Sequence, residues 1–368
     1  MKKNYVSYDT LVDYNKILSS YRLVVRNTKH KDKLFKYNLF LSSNLINIYN
    51  NLNNKTYHHG KYNIFLIKDP KYRVIMSENL NDKIVNQMVS EYILKPVLEP
   101  RLIDSNVATR KNMGSSYAFY LCKKYINKLK RDGRDIYVLK FDIKKYFYNI
   151  DHNILLSKLD KIFVDKNIMT ILRNIIYSSN YFYVNKEIDS IINRELKKDL
   201  SIYHKKELLK VPRYNYHKGL AIGNVTSQIL AIFYLNRIDH FIKEKLGCKY
   251  YIRYMDDGVI FDYDKERLKY IKGVIERELL KEKLELNKKT NIYKLSNGLT
   301  FIGYRFMLRN NKLIIRINNK VKTRIRRKIK CLDLYDKEKL VRVKVSYYGY
   351  LKIASTNFLL YKFRIKDK

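Results

Sequence analysis

The chain has 368 residues, with 76 Lys and Arg against 35 Asp and Glu, giving a formal net charge of +41. Hydrophobic residues make up 46%, with only 11 Gly and 4 Pro, so the chain can bury a sizeable core. Wholesale disorder, collagen-like repeats and a linker-rich array are excluded.

No apolar run reaches the ~18 residues of a membrane helix, and the opening MKKNYVSYDT lacks a signal-peptide stretch. Cys122, Cys248 and Cys331 are far apart and odd in number, which argues against a disulfide framework and a Cys-based zinc site. The expectation is a cytoplasmic protein that does not contact membranes. An AT-rich coding bias accounts for abundant Lys, Asn, Ile and Tyr, but not for scarce acid. Such an excess of positive charge repels itself unless a polyanion offsets it. Nucleic acid fits best, because 35 tyrosines among the cations supply stacking surface for bases.

Residues 1–45 are polar and basic and read as helical, an arm on the RNA side. Residues 63–75 (NIFLIKDPKYRVI) alternate around Asp69-Pro70 and predict a β-hairpin. Residues 80–98 carry Ile84, Met88, Tyr92 and Leu94 at helical spacing, with an end near Pro96. Residues 136–142 (IYVLKFD) predict a strand ending on Asp142, with a helix from about Ile150. The polar stretch 181–215 reads as an insertion without clear structure. Residues 224–246 read as one long helix. Residues 249–261 (KYYIRYMDDGVIF) read as two strands around an acidic turn. Leu268, Ile271, Ile275 and Leu279 mark an amphipathic helix over 265–283, and the last 55 residues are basic and helical. This order predicts an α+β fold, an antiparallel sheet with helices on one face.

The few acids are informative by position. Asp142 closes an apolar strand, and Asp256 and Asp257 sit together in a turn flanked by Tyr254, Met255, Val259 and Ile260. Adjacent carboxylates in apolar surroundings repel and lose solvation, unless a divalent cation relieves them. Mg²⁺ suits oxygen donors shared with substrate phosphates, and two ions ~3.5–4 Å apart clamp both oxygens of a nucleotidyl transfer. Two consecutive Asp also make an ordinary solvated turn.

Five segments resemble the successive motifs of a reverse transcriptase, in order. They are FDIKKYF (141–147), GLAIGNVTSQ (219–228), YMDD (254–257), LELNKKT (284–290) and FIGYRF (301–306). The resemblance covers about residues 60–365 and implies a right-hand polymerase fold with fingers, palm and helical thumb. The expected organisation is a basic extension over 1–45, fingers and palm over 46–310 and a thumb over 311–368.

The resemblance also implies roles. Asp142, Asp256 and Asp257 would be the catalytic metal ligands for two Mg²⁺, with Mn²⁺ as a substitute. Phe147 would lie under the sugar and leave no room for a 2′-hydroxyl. Lys68 and Arg73 would grip the incoming triphosphate, and Arg110 and Lys111 would form a second basic finger segment. Each of these four is also readable as a solvated charge. Gly223 would let backbone approach the nucleotide or template, beside Ile222 and with Ser227 and Gln228 opening a helix. Lys289 matches the lysine near the leaving pyrophosphate, and an exposed salt-bridging Lys is the plainer reading. Tyr254 and Met255 flank the acids on the nucleic-acid side. In NNKVKTRIRRKIKCL (318–332), Val321, Ile325 and Ile329 form the buried stripe. Arg324 and Arg327 of that helix are left to track a template–primer backbone.

IGNVTSQ, with Ile222 before the Gly and Gln228 where Pro is commoner, resembles the diversity-generating retroelement reverse transcriptases. So does SYYGYLKIASTNFLL (346–360). That resemblance implies error-prone copying of a template RNA onto a DNA primer from dNTPs, aided by a small basic accessory protein. Related reverse transcriptases of anti-phage defence share this wording, some with protein-primed or template-independent synthesis. A different class, a non-catalytic RNA-binding scaffold, remains open.

Overall fold

The computed structural model describes residues 4–28, 31–68, 71–354 and 357–365. Its contacts divide into two units. One comprises Met1–Arg110, Ile143–Lys245 and Ile275–Leu286; the other comprises Lys111–Asp142, Leu246–Val274 and Asn287–Lys368.

In the first unit, alternation over 63–77 makes an antiparallel hairpin of β1 (Asn63–Ile67) and β2 (Arg73–Ser77), with Ile67 opposite Arg73. The Asp69-Pro70 turn lies outside the described residues. Ile64, Val74 and Met76 point into a core and Phe65 points outward. Two strands alone are marginal in water. Their cover is the supposed insertion, which forms helices Phe182–Leu196 and Ile202–Leu209. Val184, Ile188, Ile191 and Ile192 recur at helical spacing and pack with the hairpin, Tyr148, Val211 and Tyr214. The missed signal was this apolar stripe, diluted by the charges on the opposite face.

The 80–98 helix ends where expected, two residues past Pro96, but within it Leu80–Met88 passes through a wide π turn, Val89–Leu94, into Lys95–Leu98. The 224–246 helix is interrupted at Leu235, giving Val225–Tyr234, Asn236–His240 and a π segment Phe241–Lys245. The N-terminal stretch is helical as expected, over Tyr14–Asn27, Lys31–Asn38 and Leu41–Asn53.

The second unit is built on a four-stranded antiparallel sheet ordered β4-β5-β3-β6. Its strands are β3 (Tyr137–Asp142), β4 (Tyr251–Tyr254), β5 (Asp257–Asp262) and β6 (Asn291–Lys294). Central β3 reads almost continuously apolar because both faces are covered, and Val138, Leu139 and Phe141 are buried. A second sheet runs β7 (Leu299–Phe301), β8 (Tyr304–Arg309) and β9 (Lys312–Ile317). Thus 312–317 is strand, within the segment read as a helical thumb. Helix Ser115–Leu129 places Phe119 against Tyr304 and Phe306. Helices Asn319–Tyr335, Lys337–Leu351 and Asn357–Lys362 follow. Ile325 is buried between half-buried Val321 and Ile329, as the stripe predicts. Tyr350 stacks on Tyr304, which donates to the Tyr350 carbonyl, and this ties the second of those helices to β8.

Candidate active site

Strand register brings the acids together. Asp142 stands directly opposite Asp257 across β3 and β5, while Tyr254 faces Asp257 across β4 and β5. Met255 and Asp256 are therefore the two-residue loop of a hairpin. Met255 takes a left-handed backbone, φ 56°, a strain of roughly 1–3 kcal/mol for a residue with a Cβ. Fully buried Arg253 holds that turn by donating from Nη1 to the Met255 carbonyl at 2.7 Å. Gly258 completes the anchor. It pairs with Phe141, and a Cβ there would lie 2.1 Å from the Phe141 ring.

Side chains alternate along β3, so Lys140 shares a face with Asp142 and, across the ladder, with Asp257. The Lys140 ammonium lies 3.7 Å from Asp257 Oδ1 and donates to the Thr300 carbonyl at 3.0 Å. Asp142 is clasped from the other side. Asn287 Nδ2 donates to Asp142 Oδ2 at 3.0 Å, and the Asn287 N–H donates to the Asp142 carbonyl at 2.7 Å. Sequence reading missed both residues. Lys140 was signalled by its two-residue offset from Asp142, and Asn287 by its place in LELNKKT, two residues before Lys289.

The electrostatics are those of an underpaid negative cluster. Burial pushes the Asp256 carboxyl up to about 7, helped by the charges of Asp142 and Asp257 and by a hydrogen bond with Asp142. Burial also raises Asp257, against the opposing pull of Lys140. Among the described residues, no group of three or more His, Cys, Asp or Glu side chains is already gathered as a metal cage. The donor chemistry nonetheless fits a hard divalent cation: three half-buried carboxylates gathered at the β3–β5 pair, with Asp256 and Asp257 holding their protons more tightly than an ordinary carboxylate.

The other expected residues divide between the units. In the first, half-buried Phe147 lies beside the 219–220 turn, its carbonyl accepting the Leu220 N–H at 2.8 Å. Ile222 accepts the Met76 N–H through its carbonyl at 2.8 Å and leans on the hairpin core. The close approach at Gly223 is to protein. At φ 144°, a Cβ would sit 2.3 Å from the Met76 carbonyl oxygen. Ser227 is buried and Gln228 exposed on the helix that follows. Arg73 is exposed, and Lys68 pairs with Glu195 at 3.0 Å. Arg110 is occupied internally, donating to the Ile103 and Asn106 carbonyls. In the second unit, Lys111, Lys289, Arg324 and Arg327 are exposed, and Tyr254 and Met255 are half-buried beside the acids.

Residues 67–306 match the family described as reverse transcriptase (RNA-dependent DNA polymerase). Among solved structures, telomerase from Candida albicans in complex with a TWJ fragment of telomeric RNA is similar at 16% identity and a TM-score of 0.44. That match covers 84% of this chain and 55% of the telomerase chain. Apo telomerase from Candida tropicalis is similar at 18% identity and a TM-score of 0.44, covering 71% of this chain and 49% of the other. The chain thus spans about half the length of these telomerases. No curated protein matches the sequence significantly. Among the described residues, no helix is long and apolar enough to cross a membrane.

Proposed function

From the premise that the chain belongs to the reverse transcriptase family, we propose that it joins dNTPs to a primer 3′ end under an RNA template. The observation that carries this reading is the register pairing of Asp142 with Asp257, with Asp256 in hydrogen-bonding reach of Asp142. These three would hold two Mg²⁺, or Mn²⁺ in their place. The ions, when bound, supply positive charge to the attacking oxygen and the leaving pyrophosphate.

The chain's own residues do the rest. Asn287 fixes one Asp142 oxygen and Arg253 fixes the turn that carries Asp256. Phe147 excludes a ribose 2′-hydroxyl by bulk. Arg73 offers an open charge to phosphate, whereas Lys68 serves only when it leaves Glu195. Arg110 acts by stiffening its loop, and exposed Lys111 and Lys289 remain open to phosphate. Arg324 and Arg327 face outward for a template–primer backbone. Primer extension on an RNA template with Mg²⁺ tests the reading. The chain extends and Asp256→Ala does not; extension surviving that change refutes the metal assignment. RNA binding by the unmodified chain without any extension makes it a scaffold.

The IGNVTSQ wording favours a diversity-generating retroelement enzyme acting in the cytoplasm with a small basic accessory protein. Ile222 lacks an amide to check base-pair geometry, so Ile222→Gln narrows the cDNA error spectrum; an unchanged spectrum removes the argument. A defence role stands as the second reading, because the segment over 182–209 is longer than the resemblance to diversity-generating enzymes implies. A genomic repeat pair differing at adenines selects the first reading. Nucleotide incorporation without added nucleic acid selects the second.

A further inference from the structure

A large depression in the second unit is lined by none of the three acids. It has a volume of about 810 Å³ and is lined by Gly133 to Ile136, just before β3, by the end of β6 and by the β8–β9 turn. β3 runs from this depression to Asp142, six residues on, or roughly 20 Å at strand rise. Two further depressions, of about 500 and 480 Å³, adjoin it along helix Ser115–Leu129. The first shares Lys130 with the second, and the second shares Lys123 and Asn127 with the third. They form one track.

We propose that this track is a docking groove for single-stranded RNA, separate from the polymerase centre. Its lining is cationic with Asp135 as the acid, and Asp135 is already paired with Lys294. Among the described residues, Lys123, Lys128, Lys130, Arg131 and Arg309 make no salt bridge. Elsewhere in the chain many Lys and Arg do find carboxylates. At the β8–β9 turn the arrangement is outright repulsive, since Arg309 stands directly opposite Lys312. Like charges paired across a ladder destabilise it, and a phosphate between them reverses the sign. Counterion release then makes binding strongly salt-dependent.

The neutral groups select RNA over DNA. Asn127, Ser296, Asn310 and Asn311 line the track and can both donate to and accept from a 2′-hydroxyl. Exposed Tyr120 at the far end, with Lys124 over its ring, supplies a stacking platform. The assignment holds whether or not the three acids catalyse.

The test uses the full chain and an unstructured RNA of roughly 16 nucleotides, the upper end of the site sizes of single-strand-binding folds. Photo-crosslinking is expected to mark peptides from 115–134 and 309–312. The triple variant Lys123→Gln, Lys130→Gln, Arg309→Gln is expected to bind this RNA about tenfold more weakly at 0.15 M salt. The slope of log affinity against log salt falls by roughly 2 when three phosphates are no longer neutralised. A control triple on the first unit, Lys161→Gln, Lys166→Gln, Lys245→Gln, is expected to bind nearly as the unmodified chain. Equal loss in both triples, an unchanged slope, or no crosslink in those peptides overturns the groove. Equal binding and equal loss with DNA of the same sequence overturns the choice of RNA.

Discussion

Two acidic clusters in this chain are treated in opposite ways. In the first unit, Glu278 and Glu282 at the end of one helix are saturated with cations. Arg237 reaches both, at 2.7 and 2.8 Å, Lys158 holds Glu282 at 2.6 Å and Lys281 holds Glu278 at 2.6 Å. Lys281 and Arg237 keep the Glu278 carboxyl below its ordinary range. In the second unit, Asp142, Asp256 and Asp257 have, among the described residues, one lysine in salt-bridge reach, at 3.7 Å from Asp257, and the Asp256 carboxyl stands far above its ordinary range. A chain with 76 Lys and Arg does not lack cations to spare. Acids that the fold neutralises are structural, and acids that it leaves short of charge are suited to a cation from outside.

The largest expected effect lies in catalysis. Asp256→Ala lowers primer extension about a thousandfold or more, as removal of a transition-state electrostatic group does. Thermal stability in metal-free buffer holds or rises, because a repulsive pair is relieved. Single-turnover extension and calorimetry on the same preparations check both. A large loss of stability would make Asp256 structural and break the contrast. Glu282→Gln should do the reverse. It strands Lys158, which is mostly buried, so stability falls by about 3 kcal/mol while turnover per folded molecule is retained. Urea unfolding measures this, and an unchanged midpoint would make the paired cluster as dispensable as a surface one.

Acid–base titration of stability separates the clusters next. Asp256 binds its proton more tightly folded, near 7, than unfolded, near 3.8. The metal-free protein therefore loses stability as pH rises from about 4 through 7, and Asp256→Asn flattens that window. Glu278 is shifted downward from 4.5. Its contribution is present above that value and disappears as pH falls below it, so Glu278→Gln flattens only the acid limb. Unfolding midpoints across pH check this. A slope between 4 and 7 that survives Asp256→Asn would assign it to another group.

Much of this was legible in sequence, for local reasons. The YMDD turn, the strand ending on Asp142 and the alternation around 63–77 are set by neighbours two or three residues apart. Register is less local, yet a two-residue turn fixes which strand positions face one another. What stayed hidden depends on distant partners. Nothing near Gly223 in sequence names Met76, whose carbonyl forbids a side chain there. Arg110 reads as part of a basic finger segment, and nothing near it in sequence announces that it donates to the Ile103 and Asn106 carbonyls. Helix Phe182–Leu196 reads as a polar insertion because its apolar stripe is understood only once the hairpin it covers is known.

Lys140 gives the smallest effect and the sharpest comparison. Its ammonium is shared between Asp257 and the Thr300 carbonyl, and both partners of the ion pair are partly exposed. Such a pair is worth about 0–1 kcal/mol, so Lys140→Met should shift stability little. Its effect on cation demand has a definite sign. A divalent ion at these carboxylates competes with the Lys140 charge, and removing that competitor lowers the Mg²⁺ concentration for half-maximal extension. The expected change is about twofold to fivefold, the range an ion pair of that strength allows. Were Lys140 instead needed to hold Asp257 in place, the same substitution would raise the Mg²⁺ requirement and depress extension at saturation. A Mg²⁺ titration of extension by Lys140→Met therefore decides between a competitor and a support, with opposite signs.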